Sequence, residues 1–94
     1  MTQERFHLLL EGAVEIWQLD VNLEFTPDKF ECTIQADGKE LMIVMFNNYP
    51  FGWVWEIFVP GRRKYVHPSV GAALQNMRNL LCPDRQIGRA VFLQ

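Results

Sequence analysis

The chain has 94 residues, 49% of them hydrophobic and 21% charged, with a formal net charge of −2 and two cysteines. This length fits one domain, 1-94, which buries about 60 to 65% of the surface of its unfolded chain without needing a metal or a disulfide. A membrane-spanning helix is excluded, since the longest uninterrupted apolar run, Leu41 to Phe46, is six residues where about 20 are needed.

The two cysteines, Cys32 and Cys82, stand far apart, and Glu4 and Arg5 precede any apolar run, unlike a secretory signal. The expectation is a reduced, cytoplasmic protein. Charge is distributed unevenly. Residues 1–59 hold ten acids against three bases, and residues 60–94 hold six bases against Asp84 alone. A fold that keeps these regions apart would be electrically polarised. One that interleaves them neutralises itself, which is the plainer expectation for a domain this small.

Phe6, Leu9, Leu10, Ala13, Ile16 and Trp17 recur at helical spacing, with Thr2 placed to cap and Glu4 in the first turn. Gly12 costs about 1 kcal/mol inside such a helix unless a neighbouring backbone needs the room. From Asp20 the period changes to two. Val21, Leu23 and Phe25 alternate with polar residues, as do Phe30, Cys32, Ile34 and Ala36, and Thr26-Pro27-Asp28-Lys29 turns the chain between the runs. Asp37-Gly38 is a tight-hairpin signal. Leu41–Phe46 is apolar throughout, and Trp53–Val59 is apolar except for Glu56, so both strands should be covered on both faces. Residues 47–52 connect them. Pro60-Gly61 turns the chain again, and Lys64–Val66 can add a short edge strand. Val70, Ala73, Leu74, Met77, Leu80 and Leu81 mark a second helix that opens near His67-Pro68-Ser69 and stops at Pro83. The tail from Ile87 to Leu93 is apolar enough for a last strand.

The expected fold is α+β, an antiparallel sheet of three to five strands packed against an N-terminal and a C-terminal helix in the order α-β-β-β-β-α. This order resembles in topology that of double-stranded-RNA-binding domains and of several unrelated small modules. The lysine-rich helix start of that RNA-binding family is missing, with Pro68-Ser69-Val70-Gly71-Ala72 in its place. Topology alone does not fix function. Two helices cover one face of a four-stranded sheet about 19 Å wide, yet the central strands offer apolar residues to both faces. The second face must meet the tail, a second copy or a different partner.

Residues 47–66 gather two of the three tryptophans and run from Tyr49 and Phe51 into the basic turn Arg62-Arg63-Lys64-Tyr65. Cations beside flat rings suit nucleic acid, but a solvated hairpin tip on an acidic chain is the plainer reading. Trp53 and Trp55 share one face of their strand and should pack in the core. His67 lies near Ser69, the only serine, where helix capping explains both better than acid–base chemistry. His7 and Glu11, one turn apart, lack the third and fourth ligands of a metal site. Cys32 should be a core thiol, and Cys82 partly exposed. The glycines are dispersed, and no catalytic, cofactor or metal signature is present. The expected function is a non-catalytic regulator or adaptor acting through protein contacts, a homodimer included. The expected partner-binding residues are Tyr49, Phe51, Arg62, Arg63, Lys64 and Tyr65. The alternative is a nucleic-acid-binding module using the basic carboxy-terminal third, and a third option is an enzyme or ligand-binding subunit with an anion site near His67.

Overall fold

The computed structural model describes residues 1–82, so the strand expected at 87–93 lies outside the described residues. The element order is α1 (Gln3–Ile16), β1 (Asn22–Phe25), β2 (Glu31–Ala36), β3 (Lys39–Tyr49), β4 (Gly52–Phe58), β5 (Tyr65–His67) and α2 (Val70–Leu81). The fold is α+β as expected, and the short edge strand makes the sheet five-stranded. All neighbours are antiparallel, in the sequential order β1-β2-β3-β4-β5. None of the helices is long and apolar enough to cross a membrane among the described residues.

Local chemistry sets the boundaries. Thr2 accepts a hydrogen bond from the Arg5 backbone N–H at 3.1 Å and Ser69 one from Ala72 at 3.2 Å, so each helix begins on a hydroxyl cap. Asp37 and Gly38, with φ of 54° and 75°, form the two-residue turn that joins Ala36 to Lys39, a conformation glycine adopts at no steric cost. Pro60 and Gly61, with Gly61 at φ 80° and Arg62 donating to the Val59 carbonyl at 2.9 Å, form the type II turn from β4 to β5.

One stretch departs from expectation. Residues 47–52 are not an open connector, because Asn47, Asn48 and Tyr49 pair with Val54, Trp53 and Gly52, leaving only Pro50-Phe51 as the loop. Backbone pairing outweighs the weak strand preference of asparagine.

Phe6 and Leu10 of α1 and Ala73 and Met77 of α2 pack on Cys32, Ile34, Met42, Val44, Trp55 and Ile57. These sheet residues lie opposite one another in register, so they share one face and both helices lie on it. At the end of α1, Ile16 is 79% exposed. At 100° per residue it falls about 80° around the helix axis from Phe6, off the stripe that Phe6, Leu10, Ala13 and Trp17 define.

Candidate interaction face on the helix-free side of the sheet

The opposite parity gives a second face on which no described helix lies. The register draws two rows across it, Glu24–Thr33–Ile43–Phe58 and Glu31–Met45–Glu56–Val66, with Asn47 and Val54 opposite each other further along. Apolar side chains dominate the β4–β5 side and acids the β1–β2 side. Phe58 is 42% exposed, Val66 51% and the hairpin-tip residue Phe51 77%.

Glu56 sits at the centre of this face, 3% exposed. A buried carboxylate is stable only when its oxygens are satisfied, and here three neighbours satisfy them. Asn47 Nδ2 donates to Oε1 at 2.7 Å, the Tyr49 hydroxyl donates to Oε2 at 2.8 Å, and the Lys64 ammonium reaches Oε2 at 2.8 Å. Burial alone would raise the Glu56 carboxyl. The hydrogen bonds from Lys64, Asn47 and Tyr49, with the charge of Lys64, outweigh it and hold the carboxyl below its ordinary value. The same contacts act in reverse on the partners. The hydrogen bond to Glu56 raises the Lys64 ammonium and the Tyr49 phenol above their ordinary values.

Comparison with protein-family models, with curated proteins and with solved structures gives no match. What the face can hold follows from its own geometry. Of the residues singled out by sequence, Tyr49 and Lys64 meet on Glu56, and Phe51 stacks on Tyr49 with centroids 5.4 Å apart and planes 2° from parallel. Arg62 and Arg63 are exposed in the β4–β5 turn, at the end of β4 opposite the Tyr49–Phe51 tip. Tyr65 faces away. It pairs with Ile57 and packs, half-buried, on the core under the helices. Sequence reasoning missed Glu56, Phe58 and Val66 as members of the face. The signal for Glu56 was a single charge in an otherwise apolar strand, at the parity opposite Trp55 and Ile57.

The remaining candidates take structural places. His67 Nε2 lies 2.9 Å from Asn76 Oδ1 and ties β5 to α2, which leaves the cap to Ser69 alone. His7 stacks on Phe25 with centroids 3.9 Å apart. Cys32 is fully buried, and burial above all pushes its thiol up to about 12. Cys82 is 7% exposed, against the expected partial exposure, and its backbone N–H donates to the Arg78 carbonyl at the end of α2. Trp55 is core, but Trp53 is 48% exposed because it lies beyond the reach of the helices. Three metal-ligating side chains do not converge anywhere among the described residues.

Proposed function

We propose that this chain is a small, non-catalytic binding protein of the cytoplasm, a regulator or adaptor that grips a protein partner with the helix-free face and the adjoining hairpin tip. The supporting observation is a face apolar at its exposed edge and satisfied at its polar centre. Phe51, Phe58 and Val66 stand open to solvent around a Glu56 carboxylate already held by three neighbours. Covering the apolar side chains contributes roughly 25 cal/mol per Å². A partner need not supply a countercharge for Glu56. Tyr49 and Phe51 at the hairpin tip are the aromatic anchors, and Arg62 and Arg63 add charge at the opposite end of β4, residue types common at protein interfaces. A second copy of the chain is one partner of this kind.

Nucleic acid receives less support. Lys64 is engaged by Glu56, and Glu24 and Glu31 stand on the same face where phosphates would have to approach.

The test combines affinity capture from native lysate, with and without nuclease, and light scattering of the purified chain, for the wild type, Phe51→Ala and Phe58→Asp. The expected result is a defined protein, or a second copy, held in the presence of nuclease and lost in both variants while circular dichroism stays native. Binding that survives both substitutions removes this face from the interface. Material that vanishes with nuclease overturns the reading in favour of nucleic acid.

A further inference from the structure

The hairpin of β3 and β4 outruns its neighbours. β2 begins at Glu31, opposite Met45, and β5 ends at His67, opposite Trp55, so residues 47–54 project as a two-stranded arm. Between the arm and the turn that precedes β2 lies a cleft of about 450 Å³ at the end of the sheet, lined by Phe30, Phe46 and Trp53 of the helix-side parity, by Glu31 of the other, and by Asp28 and Asn48.

The three rings form a rigid corner. Trp53 stacks on Phe46 with centroids 4.9 Å apart and planes 17° from parallel, and Phe30 stands 6.0 Å from each at 66° and 61°. Phe6 supports the corner from the core, 5.7 Å from Phe30. Thr26 donates to Glu31 Oε2 at 2.8 Å and fixes that carboxylate at the cleft wall. The wall carries two carboxylates, Asp28 and Glu31, against one ammonium, Lys29.

We propose that this cleft binds an organic cation of the alkylammonium class, a quaternary or N-methylated amine. Aromatic faces carry negative potential, indole most of all, and attract such cations at short range. Methyl groups on nitrogen thin its hydration, so the cation enters an aromatic corner at low desolvation cost. The net negative wall disfavours anions, and a neutral apolar ligand would gain nothing from it. The volume matches a small-molecule site.

The test is a titration of the full chain at constant ionic strength, followed by tryptophan fluorescence and by the indole N–H signals in nuclear magnetic resonance. The probes are tetramethylammonium, choline, a peptide carrying trimethyl-lysine, the neutral carbon isostere of choline, and methyl glucoside. Saturable binding of the cations is expected, with the isostere about fivefold weaker or worse. Trp53→Ala should abolish it and Glu31→Gln should weaken it several-fold, both with native circular dichroism. Tighter binding of the peptide assigns the cation to a methylated protein side chain. Tighter binding of choline assigns it to a free small molecule. The proposal fails if the isostere binds as well as choline, if only the glucoside binds, or if no cation shifts the Trp53 indole signal.

Discussion

The Glu56 carboxylate is buried, and the Lys64 ammonium that meets it at 2.8 Å is not. The lysine comes from the turn before β5, and its half-exposed side chain brings the ammonium to the buried acid. Two residues drawn from the acidic and the basic regions of the sequence thereby neutralise each other, as an interleaved fold requires.

Removing the lysine is therefore expected to do more harm than its exposed position suggests. Lys64→Met leaves a buried carboxylate with Asn47 and Tyr49 alone, so the Glu56 carboxyl should rise in a nuclear magnetic resonance titration and the melting temperature should fall. Adding Glu56→Gln to Lys64→Met should recover part of that loss. Strict additivity of the two substitutions would show that the ion pair contributes nothing.

Acid stability follows from the same cluster. Because the folded carboxyl is held below its ordinary value, the pair contributes fully above the unfolded glutamate value of about 4.3. The contribution is lost as the pH falls from there through the folded value. Melting curves collected from neutral pH downwards should therefore show wild type losing stability in that window more steeply than Glu56→Gln. Parallel curves would mean that Glu56 titrates alike folded and unfolded.

Gly12 offers a gain. It lies inside α1, and a Cβ built there meets no atom within 4 Å, so no neighbouring backbone requires the glycine. Gly12→Ala should stabilise the protein by about 1 kcal/mol through helix propensity and a less flexible unfolded chain. In a domain of this size that is about 4 to 8 °C in Tm. A lower Tm would reveal a steric demand absent from the described residues.

Much of the architecture was legible because it depends on local rules. The 3.6 and 2.0 periodicities placed both helices and the alternating strands, and Asp37-Gly38 and Pro60-Gly61 placed two of the turns. The long hairpin arm was not legible. Asn47 and Asn48 read as loop residues, and only pairing with Val54 and Trp53 makes them strand. The candidate face was half legible. Tyr49, Phe51 and Lys64 stood out by residue type, whereas Phe58 and Val66 joined them only through register, and the same register turned Tyr65 to the opposite face. The two tryptophans of β4 have equal parity, but the helices cover one and stop short of the other, a matter of where packed elements end that no period encodes.

Phe6 shows how the ring corner and the exposed patch around Phe58 can be separated by experiment. It is fully buried and contacts three rings, with centroids 6.1 Å from Phe25, 5.7 Å from Phe30 and 5.9 Å from Trp55. Phe6→Ala should cost about 3 to 5 kcal/mol in denaturant unfolding, the sum of lost burial and the cavity left behind. Trp55 emission should shift to the red as water gains access to the gap, and Phe6→Leu should be milder because most of the volume remains. The Phe30 corner rests on Phe6, so cation binding at Trp53 should weaken in Phe6→Ala wherever the variant stays folded. Capture through Phe51 and Phe58, neither of which lines the cleft, should persist under the same conditions. Simultaneous loss of both would show that the two surfaces share one cooperative support.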